Sequence, residues 1–166
     1  MEPTFGGVNL EDISAPECFE IEERLKKELN IPVMHDDQHG TAIISSASLL
    51  NALELVEKDI TKAKIIINGA GASAISCTRL YNALGAKKEN IFMFDSKGLI
   101  HPDRTNLDGK KIEFANNNMP IETTLAQAIN GADVFVGLSK GNVLSKEMVK
   151  TMAKDCIVFA LANPTP

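Results

Sequence analysis

Short apolar runs rich in β-branched residues alternate along this chain with stretches whose apolar positions recur at helical spacing. That pattern predicts parallel strands joined by helices. Strands are expected over 64–68, 90–94, 133–137 and 157–162. Helices are expected over 72–84, ended by Gly85, and over about 122–130 and about 145–153, with a polar crossover after the second strand. Right-handed crossovers then put helices on both faces of the sheet. They align the strand carboxyl ends, including Gly69, Asp95, Gly137 and Ala162, along one edge where a ligand would bind. The fold class is α/β, a doubly wound parallel sheet of Rossmann type. Upstream, Pro16–Leu29 reads as an amphipathic helix with Phe19, Ile21, Leu25 and Leu29 inside, Glu22, Glu23, Lys26 and Lys27 outside, and Ser14 as its cap. A short extended piece, Ile31–Met34, follows. The apolar residues between Gly40 and Glu57 predict a largely buried helix.

The run Ile65-Ile-Ile-Asn68-Gly69-Ala70-Gly71-Ala72-Ser73-Ala74 adds candidate chemistry. Gly69 permits a tight strand-to-helix turn, Gly71 lets backbone approach a pyrophosphate, and small Ala74 lets the helix pack close to the strand. The opening N–H groups of that helix then face the anion. Two glycines in a tight turn are weak evidence alone, but an acid at the end of the next strand, Asp95, is the partner such a turn uses for the adenosine ribose. It lies 26 residues after Gly69, somewhat beyond the roughly 20 expected. The turn and the acid together point to a nicotinamide or flavin dinucleotide, against a packing turn with no ligand. Ser139-Lys140-Gly141 falls on the same edge, where either a cofactor contact or a plain loop explains it.

A second feature is acidic. Glu11-Asp12 follows Val8-Asn9-Leu10, and Asp36-Asp37 follows Ile31–Met34, so each carboxylate pair is expected where an extended segment turns into a helix. If the two segments lie side by side, four carboxylates converge, an oxygen donor set suited to Mg²⁺ or Mn²⁺. The alternative is that Asp36 or Asp37 caps the following helix, although a cap needs one acid rather than two doublets. His35 and His39 flank the second pair without helical i, i+4 spacing and are expected to support or cap it. His101 is expected in a surface turn, and Tyr81, the single tyrosine, in packing.

Composition narrows the class. With 166 residues, 44% of them hydrophobic, the chain can bury a real core as one domain with an appendage. No window approaches 18 uncharged apolar residues and the first residues carry no signal-like core, so neither a membrane span nor secretion is expected, and the location is cytoplasmic. The net charge of −5 comes from mixed signs without a basic run, which argues against nucleic acid. Cys18, Cys77 and Cys156 lack metal or disulfide spacing and are expected as reduced thiols.

The segments Phe5-Gly-Gly-Val-Asn-Leu-Glu11-Asp12-Ile, Val33-Met-His-Asp36-Asp37-Gln-His-Gly40-Thr41-Ala, Asn68-Gly-Ala-Gly-Ala-Ser-Ala74, Phe94-Asp-Ser-Lys-Gly98 and Phe159-Ala-Leu-Ala-Asn163-Pro-Thr, taken in order, resemble the cofactor-binding half of the malic enzymes, closest to the short bacterial type. The resemblance covers essentially the whole chain. It implies oxidative decarboxylation of (S)-malate to pyruvate and CO₂ with NAD or NADP and with Mn²⁺ or Mg²⁺, in a homo-oligomer. It implies Glu11, Asp12 and Asp37 as metal ligands and Asp36 as a supporting acid. Gly69, Ala70, Gly71, Ala72, Ser73 and Ala74 become the pyrophosphate turn, Asp95 the ribose acid, and Asn163 a contact to malate and nicotinamide. Residues 1–38 then form a linker and helix carrying metal carboxylates, and 39–166 an NAD(P)-binding domain. Lys97, two residues after Asp95, tilts the cofactor reading towards NADP. The lysine base and tyrosine acid of the family belong to a domain preceding the first acid pair, and no residue here matches them. The chain is therefore expected to be part of a longer polypeptide and inactive alone. Two other readings stay open: the cofactor domain of another dehydrogenase, such as an amino-acid dehydrogenase, and a non-catalytic module that joins full-length subunits.

Overall fold

The computed structural model describes residues 2, 4–14, 16–107 and 109–163. The Pro164 and Thr165 positions of the last family-like segment lie outside the described residues. Among the described residues seven strands and five α-helices follow in the order β1 (Val8–Leu10), α1 (Glu17–Glu28), β2 (Val33–His35), α2 (Asp36–Leu55), β3 (Ile65–Asn68), α3 (Ala72–Ala83), β4 (Ile91–Asp95), β5 (Gly98–Leu99), α4 (Leu125–Ala128), β6 (Val134–Gly137), α5 (Lys146–Thr151) and β7 (Ile157–Ala160).

The main sheet runs β5-β4-β3-β6-β7, with β3 central and parallel to β4 and β6, and β6 parallel to β7. Ile65, Ile66 and Ile67 are fully buried, because a parallel strand covered on both faces can use apolar residues at every position. Alternation divides them between two cores. Ile65 and Ile67 join Ile91, Met93, Val134 and Val136 under α2 and α3. Ile66 joins Phe92, Phe94 and Phe135 beneath Ala128, Ile129 and Met152 of the α4 and α5 side. The chain leaves β3 towards β4 through α3 and reaches β6 on the other side, so the switch point of the doubly wound sheet lies at the carboxyl end of β3.

One strand departs from the all-parallel expectation: β5 pairs antiparallel with β4 at the edge, through Phe94↔Leu99 and Asp95↔Gly98. The upstream segments form a separate two-stranded parallel sheet, with Val8, Asn9 and Leu10 opposite Val33, Met34 and His35.

Helix α1 shows a different face from the one expected. Cys18 and Glu22 are its buried residues, whereas Ile21 is 37% exposed. Glu22 turns inward because polar partners await it: Lys26 Nζ at 2.7 Å, His39 Nε2 at 2.8 Å and Gln38 Nε2 at 3.3 Å. Ser14 does not cap this helix through its side chain. Its carbonyl accepts from Cys18 N at 3.0 Å, and Pro16 occupies the cap position.

Helix α2 begins at Asp36 rather than near Gly40, so a division of the chain at residues 38 and 39 falls within it. It is buried along one side only, through Gln38, Ala42, Ser45, Ser46, Leu49 and Leu53. Ile43, Ile44, Leu50 and Leu55 are exposed. The apolar content that predicted a largely buried helix is split between a face on α3 and an open face.

Tyr81 is fully buried in the α2–α3 core beside Ser45 and Cys77, and burial pushes its phenol far above the ordinary value. That agrees with a packing role. Cys18 and Cys77 are buried free thiols and Cys156 is half-buried. His101, expected at the surface, is instead buried: its Nδ1 accepts from Asp103 N at 3.1 Å and its carbonyl from Arg104 N at 3.0 Å. A turn does form there, but folded inward. Among the described residues no helix is long and apolar enough to cross a membrane.

Candidate functional site

The strand β3 ends in a turn built around two glycines that do different work. Gly69 has φ +140°, and a Cβ on it would come within 3.1 Å of the Leu138 carbonyl carbon and oxygen. Gly69 N also donates to Phe94 O at 2.8 Å, and Leu138 N to Asn68 O at 2.8 Å, tying the turn to β4 and to the loop after β6. Gly69 is thus fixed by backbone conformation and by a close approach. Gly71 differs: its φ is −87° and nothing of the protein lies within 4 Å of where its Cβ would be. The space above Gly71 is left clear by the fold. Gly71 is the cap residue of α3 and no side chain caps that helix, so the first N–H groups, those of Ala72, Ser73 and Ala74, open towards that space.

Two cavities meet at this turn. One of about 610 Å³ is lined by Asn68, Gly69, Ala70, Gly71, Phe94, Asp95, Ser96, Lys111, Ser139, Lys140 and Val143. The other, about 580 Å³, shares Ala70, Gly71 and Lys111 and continues over Ala72 and Ile75 to Phe19 and Lys110. Both have the size of ligand sites, and the first sits at the switch point.

Of the expected cofactor residues, Gly69, Ala70, Gly71, Asp95 and Ser139 line the larger cavity, and Ala72 the other. Ser139 Oγ accepts from Asn68 Nδ2 at 2.7 Å across the ends of β6 and β3. Ala74 is buried against the sheet, as close helix packing requires. The Ser73 hydroxyl points elsewhere, donating to the Asp37 carbonyl at 2.5 Å and linking the glycine turn to the first turn of α2. Lys97 is exposed and touches Asp95 through its backbone N–H, 2.8 Å from Oδ1. Asn163 is exposed just beyond β7.

Asp95 carries a partner that spacing did not reveal. Arg104 grips it in a two-pronged pair, Nη1 to Oδ1 at 2.9 Å and Nη2 to Oδ2 at 3.0 Å, with Lys111 Nζ 3.9 Å from Oδ2. Burial alone would raise the Asp95 pKa. The hydrogen bonds from Arg104 and from Lys97 N, with the charges of Arg104 and Lys111, outweigh it and hold the carboxyl below its ordinary range. Arg104 and Lys111 both lie in the crossover between β5 and α4, where no periodicity signals a ligand edge.

The acid doublets stand at the carboxyl ends of β1 and β2, but only the second leads straight into a helix: α2 begins at Asp36, whereas α1 begins at Glu17, several residues after Asp12. Since Leu10 pairs with His35, the next residues, Glu11 and Asp36, leave adjacent parallel strands. Side-by-side placement thus holds, and the donors are the hard oxygens a divalent cation prefers. The side chains are not gathered, however: among the described residues no three His, Cys, Asp or Glu groups form a metal-holding cluster. Glu11 Oε2 accepts from Asn9 Nδ2 at 3.1 Å. The Asp36 carboxylate folds along its own helix, so that a Cβ on Gly40 would collide with its Oδ1. Asp12 adopts φ +55°, and Asp37 Oδ2 lies 3.4 Å from His35 Nε2. Neither Asp36 nor Asp37 is the cap residue; His35 is, without a side-chain capping bond. Both acids sit in the first turn, where the helix dipole favours negative charge.

A glycine turn at the switch point, an uncapped helix facing open space and an acid at the next strand end together define a dinucleotide-binding domain of doubly wound type. The comparisons narrow this. The family model "Malic enzyme, NAD binding domain" matches residues 38–166. An NADP-dependent malic enzyme of Salmonella typhimurium is 53% identical over all of this chain and 22% of its own length, and an NAD-dependent malic enzyme of Rhizobium meliloti 53% identical over all of this chain and 21% of its own. The crystal structure of an NAD-dependent malic enzyme from Thermotoga maritima superposes with a TM-score of 0.90 at 45% identity, covering 99% of this chain and 44% of that one. The chain belongs to the malic enzyme family. It spans about a fifth of the length of these curated relatives.

Proposed function

We propose that this chain is the cofactor-carrying part of a malic enzyme that converts (S)-malate to pyruvate and CO₂ with NAD or NADP and with Mn²⁺ or Mg²⁺. The observation that carries the reading is the Gly69–Ala74 turn, with its clear space above Gly71, in a chain matched by the family's NAD-binding domain. The N–H groups of Ala72, Ser73 and Ala74 receive the pyrophosphate, and the cavity beside Asp95, Ser139 and Lys140 holds the nucleosides. Asn163 lies at the malate and nicotinamide end. Glu11, Asp12 and Asp37 hold the cation and Asp36 supports them. When bound, the nicotinamide accepts the hydride and the cation polarises the oxygen on malate C2.

Asp95 accepts from the adenosine ribose while Arg104 neutralises its charge, an arrangement compatible with either cofactor. NADP is the favoured form, its 2′-phosphate meeting Lys97, with Lys111 on the cavity wall as a second cation. The protein works in the cytoplasm as a homo-oligomer and uses no nucleic acid or membrane. The isolated chain does not turn over malate, because it carries no match to the family's lysine base and tyrosine acid.

Thermal unfolding tests the reading, with Mn²⁺ and with NADP or NAD added singly and together. Each is expected to stabilise the chain, and the metal effect to vanish in the double variant Glu11→Ala, Asp37→Ala. Stabilisation by nucleotide alone would leave a dinucleotide domain without a cation site, as in other dehydrogenases.

A further inference from the structure

A chain of buried polar groups runs from α1 to Asp37, and its directionality can be worked out. Glu22, Gln38 and His35 are 7%, 5% and 0% exposed. Polar groups so deeply buried are costly unless each is satisfied, so their contacts define a specific arrangement. The Glu22 carboxyl is held below its ordinary range: burial opposes its charge, but the hydrogen bond from Lys26 and the neighbouring His39 outweigh burial. An ionised carboxylate only accepts. The amide group of Gln38 facing Glu22 Oε2 at 3.3 Å must therefore be its NH₂. The same nitrogen lies 2.9 Å from His35 Nδ1. With one amide hydrogen directed to Glu22 and the other to the imidazole, Nδ1 accepts and the ring proton sits on Nε2. That Nε2 is fully buried, has no hydrogen-bond partner in the present geometry and faces Asp37 Oδ2 at 3.4 Å.

We infer that His35 is a positioning residue for Asp37: Glu22 and Gln38 fix its tautomer so that Nε2–H is aimed at the Asp37 carboxylate. Were a cation held there, this N–H would orient the carboxylate that ligates it. The Asp37 backbone is held separately, its carbonyl accepting from the Ser73 hydroxyl. A donor behind a ligating group orients it and tunes its affinity. The cation part of this inference rests on the role proposed for Asp37, whereas the tautomer does not.

The test has two arms. Long-range ¹⁵N–¹H correlation spectra at pH 8 assign the imidazole tautomers of the wild-type chain, with its three histidines identified by substitution. The Nε2–H form is expected for His35, with the preference lost in Gln38→Leu. Mn²⁺ titration then compares wild type, His35→Leu and His35→Gln, whose amide nitrogen reaches the position of Nε2. The leucine variant is expected to bind at least about tenfold more weakly, and the glutamine variant to recover most of that loss. An Nδ1–H tautomer in the wild-type chain overturns the inference even if every His35 variant fails to fold. Mn²⁺ binding abolished by Asp37→Ala but within twofold of wild type in His35→Leu overturns the positioning role alone. Failure of the wild-type chain to bind Mn²⁺ overturns the cation reading and this role with it, leaving the tautomer as a packing feature.

Discussion

The two glycines of the β3–α3 turn are expected to fail in opposite ways when replaced by alanine. At Gly71 the backbone is extended, at φ −87° and ψ −170°, and a Cβ meets no protein atom within 4 Å. Gly71→Ala should leave stability within about 0.5 kcal/mol of wild type, as for a surface substitution without strain. The methyl group instead enters the space through which the pyrophosphate approaches α3. Losing one charge-assisted bond to a phosphate costs roughly 1.5–3 kcal/mol. The dissociation constant should therefore rise about 10–100-fold. Gly69→Ala meets both φ +140° and the Leu138 carbonyl at 3.1 Å. Forcing a side chain into such a conformation costs about 1–3 kcal/mol, and Tm in a chain of this size falls by about 2–4 °C per kcal/mol. Thermal unfolding together with NADPH fluorescence titration separates the outcomes. A Gly71→Ala chain that binds NADPH as wild type does would refute the assignment of that space to a ligand. A Gly69→Ala chain with unchanged Tm would refute the steric argument.

Three further expectations concern charged groups. Arg104→Gln removes the two-pronged partner of Asp95 and should cost about 2 kcal/mol at neutral pH. Because the folded Asp95 pKa is depressed, its contribution is present above the ordinary aspartate value near 4 and disappears as pH falls through the folded value. Urea unfolding from pH 7 to pH 2 should accordingly show a shallower acid decline in Arg104→Gln, and parallel profiles would contradict the assignment. Gly40→Ala forces only the mobile end of the Asp36 side chain to move. It should stabilise the chain by up to about 1 kcal/mol through helix propensity, read as a higher urea midpoint, and a loss would mean that the Asp36 fold-back itself holds α2. Lys97→Ala and Lys111→Ala are each expected to weaken NADP more than NAD in paired titrations, and equal losses would argue against a phosphate-binding role for the residue concerned.

The strands were legible because β3, β4 and β6 are continuous apolar runs that need no knowledge of their neighbours, and because Gly69 interrupts the first at the point where the chain must reverse. Crossover handedness placed helices on both faces and the strand carboxyl ends along one edge. Faces were harder to read. Glu22 counts as solvent-facing in any periodicity argument, and only the arrival of Lys26, Gln38 and His39 around it makes burial affordable. Ile43 and Ile44 read as core, yet α2 presents only one side to α3. At the candidate site, residue types were legible and contacts were not. Asp95 is visible as an acid at a strand end, whereas Arg104 emerges from a crossover whose path depends on β5 folding back antiparallel. The acid doublets were legible as neighbours, because β1 and β2 do pair, but the fold-back of Asp36 onto Gly40 is a side-chain choice that spacing does not encode. The choice between NAD and NADP was legible only in part, through Lys97, and both kinds of relative match this chain at 53% identity.

The central claim is that the β3–α3 turn binds a nicotinamide dinucleotide, and the most direct test is equilibrium titration of NADPH and NADH into the purified chain, followed by the nucleotide's own fluorescence. Saturable binding of one nucleotide per chain, abolished by Gly71→Val while Tm stays unchanged, is the result this account predicts. No saturable binding of either nucleotide, or equal binding by the Gly71→Val chain, would contradict it.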